Sequence, residues 1–264
     1  MFNAFGDNRS AGIAGPAGKN AFDLISWTPL AARRIFRESE RINIYFDTAT
    51  DGVIYKKEKP VGLRNRTGGP SITSIGTFPL IMQIGAGKFM MELQNSLFKV
   101  NSETGVTAPS FVLFALSFKG MTVNTIPRFI FSNQNFTRAI SIQDVLKNKK
   151  YERILTIYSS GSSRNITFER SEWCTLMVQY RCLDQVVYCQ YILNEQAGEL
   201  EPGPADKQDN HTVFIGGHPD KHTKESAYCA VGSFEMYYSE NGTDFLPEKM
   251  AQCLLEDILE RVDP

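Results

Sequence analysis

Three histidines, His211, His218 and His222, are the only ones in the chain and fall within twelve residues, with Asp220 between the last two. Imidazole and carboxylate are competent zinc ligands, so the cluster invites a metal reading. Pro219 stops a helix from aligning His218 with His222, however, and the expectation is a loop offering hydrogen bonds to a ligand, with no metal assigned. Asn133, Arg138 and Tyr158 join His218, Asp220 and His222 as the ligand-binding candidates. Catalysis finds less support. No Gly-x-Ser-x-Gly elbow and no nucleotide-binding glycine loop is present, so nothing poises a Ser or Cys as a nucleophile.

Short β patterns carry these residues. Residues 212–215 form a β-branched and aromatic run ending at Gly216-Gly217, and in GSFEMYY at 232–238 Phe234, Met236 and Tyr238 alternate with Ser233, Glu235 and Tyr237. Alternation of this kind turns one side of a strand toward a core. Further short strands are expected at 42–46, 72–75, 80–84, 88–93 and 97–100, where Gly and Asn punctuate the chain. FVLFALSF at 111–118 is nearly continuous apolar, as a central strand covered on both faces requires. A hairpin is expected from 152–158 and 165–170 across a serine-rich loop. In the strand led by Trp173, Cys174, Leu176, Val178 and Tyr180 alternate with Thr175, Met177 and Gln179.

Two helices flank this array. Thr28 as N-cap, Pro29 at the first position and the stripe Leu30, Ala31, Ile35, Phe36 predict one over 29–40. Met250, Leu254, Ile258 and Val262, repeating every four residues behind Pro247, predict the other. A helical turn is expected at 142–147, a basic turn at 147–150, and exposed loops at 56–70 and 199–209. Residues 1–20 read as a flexible tail, and the rest as one domain of 21–264. Within the tail, GIAGPAGKN places Gly at every third position, a collagen-like spacing because only Gly fits the axis of a triple helix.

The segments WCTLMVQY (173–180), YCQYILN (188–194), FIGG (214–217) and GSFEMYY (232–238) together resemble the concanavalin A-like, laminin-G-like jelly-roll superfamily. The resemblance covers residues 111–262 and departs where Glu195 follows Asn194, since an Asn-Gly or Asp-Gly turn is the pattern. It implies an all-β antiparallel jelly-roll sandwich with an N-terminal and a C-terminal helix. It also implies loops that bind a glycan or a protein receptor. The Glu-x-Asp-x-x-Glu signature of the superfamily's glucanases is missing, so the expectation is a recognition module and not an enzyme. Calcium, which laminin-G relatives hold with loop carboxylates, could be offered Asp144, Asp184 or Asp220, but none matches a family motif and no cofactor is assigned.

Composition narrows the partners. Lys and Arg number 28 against 29 Asp and Glu, giving a net charge of -1, so no global field draws nucleic acid or an anionic membrane. No apolar run is long enough for a membrane helix and no secretion signal is recognised. Five cysteines without a C-x-x-C pair read as buried free thiols, although Cys182 and Cys189 lie on neighbouring strands. Six sequons, at Asn8, Asn65, Asn135, Asn165, Asn210 and Asn241, are consistent with chance in a Ser/Thr/Asn-rich chain. The favoured reading is a homotrimeric head of a viral or phage attachment fibre, on a virion surface or outside the cell. A self-assembling coat protein and a divergent carbohydrate-active enzyme are the alternatives.

Overall fold

The apolar run at its centre explains the architecture. In β8 (Phe111–Gly120), residues 111–118 are all buried, and their two faces belong to different cores. Val112, Phe114, Leu116 and Phe118 point into one; Phe111, Leu113 and Ala115 point into the other. A strand covered on both sides has no use for polar alternation, which is why its sequence lacks it. The computed structural model describes residues 43–47, 52–64, 72–93, 96–100, 111–121, 123–133, 135–168, 172–205, 213–218, 229–239 and 244–262. The expected tail at 1–20 and helix at 29–40 lie outside these residues.

Two antiparallel sheets make the sandwich. The first runs β15 (Gln196–Pro204), β14 (Val186–Leu193), β13 (Cys174–Leu183), β8, β17 (Cys229–Ser239), β6 (Lys88–Leu93) and β5 (Leu80–Gly85), with β1 (Asn43–Asp47) also paired to β17. The second runs β12 (Ser162–Phe168), β11 (Lys150–Ser159), β10 (Arg138–Lys147), β9 (Arg128–Asn133), β16 (Val213–Ile215), β7 (Ser96–Val100), β4 (Ile72–Gly76), β3 (Lys59–Leu63) and β2 (Val53–Lys56). Phe114 sits at the middle of the shared core, stacked on Phe131 of the facing sheet with ring centroids 4.2 Å apart. Tyr180 and Phe234 flank it at 6.3 Å each.

The second core lies outside the first sheet. Helix α1 (Glu248–Glu260) packs Met250, Ala251, Leu254, Leu255 and Ile258 onto Phe111, Leu113, Met177 and Tyr237. The expected stripe is therefore correct, and the strand face that carries Ser233, Glu235 and Tyr237 is buried beneath the helix. Polar groups there are partnered: Tyr237 donates to Glu235, and Arg261 reaches Ser233 Oγ at 2.9 Å and Glu235 at 3.4 Å. Buried polar groups must be so satisfied.

Three expectations need correction. Residues 142–147 are strand and not a helical turn, since every residue from Arg138 to Lys147 has a cross-strand mate on β11. The expected loop at 199–209 is strand as far as Pro204. Pro202 and Pro204 are tolerated because β15 is an edge strand, where a missing N–H breaks no ladder. Part of the expected basic loop at 56–70 is β3, joined to β2 through Lys57 and Glu58, both with positive φ. Cys189 stands opposite Tyr180 and Cys182 opposite Val187, so they do not face each other, and all five thiols are free.

Candidate functional site

Two hairpins at one end of the sandwich build a recess. The strands of the β10–β11 hairpin meet at Asn148 and Lys149, whose φ values of 50° and 65° are those of the tight turn that matches strand twist. Across from it, the β14–β15 hairpin turns at Asn194 and Glu195. Asn194 fixes that turn on β13: its Oδ1 accepts from the Thr175 N–H at 2.9 Å and its own N–H donates to the Thr175 carbonyl at 2.8 Å.

Between the hairpins opens a cleft of about 740 Å3, bordered by Lys147, Asn148, Lys150, Tyr151, Glu152, Phe168, Glu172, Asn194 and Gln196 among others. A second cleft, of about 560 Å3, continues along α1 and is bordered by Trp173, Glu195, Gln252 and Glu256. Glu172 and Asn194 line both, so the two recesses adjoin and together make the groove. Tyr151 is 44% exposed, and Lys147 pairs with Glu152 across the hairpin at 3.3 Å. The groove offers amide, ammonium and carboxylate groups beside the rings of Tyr151, Phe168 and Trp173. Such a lining can hydrogen-bond hydroxyls and stack against the apolar face of a ring.

Arg153, also on the border of the first cleft, is fully buried and occupied. Its guanidinium grips Asp144, whose Oδ2 further accepts from the Asn124 N–H at 2.6 Å. Asp144, offered above to calcium, is thus committed to an ion pair.

The residues expected to bind ligand gather at the other end of β10. Asn133, 1% exposed, staples the β9–β10 turn: its Oδ1 accepts from the Arg138 N–H at 3.0 Å and its Nδ2 donates to Thr137 Oγ1 at 2.8 Å. Arg138 lies 5.7 Å from the Tyr180 ring centroid. His218 is buried, stacked on Phe136 at 3.8 Å and edge-on to Phe214 at 5.7 Å. Tyr158 joins the same aromatic group through Phe129 at 6.3 Å. Tyr158 and His218 are thus linked through Phe129 and Phe136, whereas the Arg138 side chain turns to the opposite face of the sheet, onto Tyr180; Asp220, His222 and His211 lie outside the described residues. Among the described residues no group of three His, Cys, Asp or Glu side chains could hold a metal.

No sequence motif marks the groove. Lys147 to Lys150 read only as a basic turn, and Trp173 only as the head of a strand. The available signal was Leu146 and Tyr151 on either side of that turn: apolar residues continuing the strand pattern beyond the core they would need.

Antiparallel two-sheet topology, a shared aromatic core and a helix closing the outer face make this a jelly-roll β-sandwich. No family model and no curated protein matches the sequence; the likeness is structural. Domain 4 of an extracellular arabinanase from Geobacillus stearothermophilus, in complex with arabinotriose, is 12% identical with a TM-score of 0.53, over 82% of this chain and 100% of that one. The receptor binding domain of botulinum neurotoxin mosaic serotype C/D is 12% identical with a TM-score of 0.50, over 81% of this chain and 50% of that one. A Trypanosoma rangeli sialidase is 7% identical with a TM-score of 0.51, over 84% of this chain and 33% of that one. Identities so low establish shared architecture alone.

Proposed function

We propose that this domain is a recognition module that binds an oligosaccharide in the groove between the β10–β11 and β14–β15 hairpins. The observation that carries this reading is the groove's lining. Hydrogen-bonding side chains of both charges stand there with three aromatic rings, over the extent of two adjoining clefts. A protein receptor is the other ligand class for the same surface. The structural neighbours, which include an arabinanase domain in complex with arabinotriose and a toxin's receptor binding domain, are consistent with either.

The reading is non-enzymatic. Glu235 is sealed under α1, away from any ligand, and Glu152 is engaged by Lys147. A glycan array followed by calorimetry on the bound sugar tests it: Tyr151→Ala and Gln196→Ala should each weaken binding by about tenfold. Release of reducing sugar from the bound glycan would instead favour the divergent enzyme, with Glu152 and Glu172 as the carboxylates to replace.

A second surface is favoured by the half-buried rings of Phe136 and Tyr158 near His218, which Asp220 and His222 follow in the sequence. Loss of glycan binding in His222→Ala, with Tyr151→Ala unaffected, would move the site there. The Gly-x-y spacing of residues 12–20 supports the further reading of a homotrimeric head on the stalk of a viral or phage attachment fibre. A solution mass of one chain would remove that part of the proposal and leave the groove standing.

A further inference from the structure

Among the described residues ten large hydrophobic side chains are exposed, and six of them, Met121, Val123, Ile126, Val145, Leu146 and Tyr151, belong to two adjoining segments. The β8–β9 connection lies along β10: the Asp144 N–H donates to the Asn124 carbonyl at 2.5 Å and Gln143 Nε2 donates to the Thr125 carbonyl at 3.0 Å. One residue further, the β10–β11 hairpin runs past the end of the core. Its cross-strand pair Leu146 and Tyr151 has the facing parity of buried Asp144 and Arg153, yet the two are 60% and 44% exposed. Exposed apolar side chains gathered on adjoining segments in this way mark an interaction site.

The charges around the tip identify its partner. Over residues 119–127 and 145–152 the ionisable side chains are Lys119, Lys147, Lys149, Lys150, Tyr151 and Glu152. On the hairpin itself Lys147, Lys149 and Lys150 outnumber the single carboxylate of Glu152, a local excess of positive charge in a chain whose net charge is -1. Protein–protein contact surfaces are depleted in lysine, and an anionic glycan would have no use for exposed Ile and Leu. An anionic bilayer uses both: aliphatic groups enter the headgroup layer while lysines, their stems lying on the apolar surface, meet the lipid phosphates.

We propose that this end of the sandwich docks on an anionic lipid bilayer, with Ile126, Leu146 and Tyr151 entering the headgroup layer and Lys147, Lys149 and Lys150 contacting its phosphates and carboxylates. The near-zero net charge argues against a long-range field, and this docking needs none, because the attraction acts within a Debye length of the tip. Tyr151, Lys147 and Lys150 also border the groove, so the test substitutions are placed at Ile126, Leu146 and Lys149, which do not line it.

Co-sedimentation of the full chain with sugar-free vesicles tests it. Vesicles of phosphatidylcholine with phosphatidylserine should retain the protein, phosphatidylcholine alone should retain far less, and added salt should release it. Combined Ile126→Asp and Leu146→Asp should lower partition at least about tenfold, and Lys149→Gln about fivefold. Their urea midpoints should match the parent, since all three side chains face solvent. No binding to the phosphatidylserine vesicles, or binding unchanged by the double substitution, overturns the proposal. So does a fall in solution mass in the double variant, which would show a second copy of the chain covering the tip.

Discussion

Arg153 holds Asp144 through two parallel hydrogen bonds, Nε to Oδ1 and Nη2 to Oδ2, each 2.9 Å long, with both side chains fully buried. The pair links β10 to β11 beneath the groove and, through the Asn124 N–H, ties down the β8–β9 connection. It owes its space to Gly120, where a Cβ would overlap the guanidinium.

Removing one partner strands a charge in a dry site. Asp144→Ala should therefore destabilise the domain by about 3–5 kcal/mol in urea denaturation, while a paired Asp144→Leu, Arg153→Met replacement should cost less than either single change. Gly120→Ala should also destabilise, because the guanidinium cannot move without losing Asp144. Equal stability of Asp144→Ala and the parent would show that the pair is not buried as described.

The thiols set an alkaline limit. Burial raises Cys174 from its ordinary 9.0 to about 11 and Cys229 to about 12, and raises Cys189 as well. Below pH 9 these thiols are protonated whether or not the chain is folded, so stability there is complete. Above it the unfolded chain releases protons that the native state keeps, and stability falls as pH rises toward about 12. Urea midpoints should decline between about pH 9 and pH 12, less so in Cys229→Ala. In the native protein a thiol reagent should label Cys182 and Cys253, which are partly exposed, and leave Cys174, Cys189 and Cys229 unmodified.

Helix α1 belongs to the core and is not an appendage. Leu254 has no exposed surface, so Leu254→Ala should cost about 2–5 kcal/mol. Because Glu235 holds both Tyr237 and Arg261, Glu235→Ala should expose α1 to faster amide exchange than in the parent. Exchange unchanged in both variants would separate the helix from the folding unit.

What could be read in the sequence follows from burial pattern. The all-β class, the both-faces-covered strand at 111–118, the alternation from Cys174 to Tyr180 and the stripe Met250, Leu254, Ile258, Val262 are all periodic signals that a core imposes locally. The strand at 142–147 was misread because Asp144 interrupts its inward apolar series, and the carboxylate's partner, Arg153, lies on a neighbouring strand that periodicity cannot assign. Prolines hid β15, whose edge position tolerates them. The groove escaped notice for a related reason: it is formed by the turns at Asn148 and Asn194, some forty-six residues apart, and nothing local records that they face each other. Asn133, by contrast, was singled out, and the structure places it inside a turn with its polar atoms already used.

The central claim is that the groove bordered by Tyr151 and Gln196 receives an oligosaccharide. Titration calorimetry of the intact protein with a sugar found by array, repeated on Tyr151→Ala, tests it most directly. About tenfold weaker binding with an unchanged urea midpoint is the predicted result. Equal affinity in the two proteins, or no sugar bound at all, would contradict it.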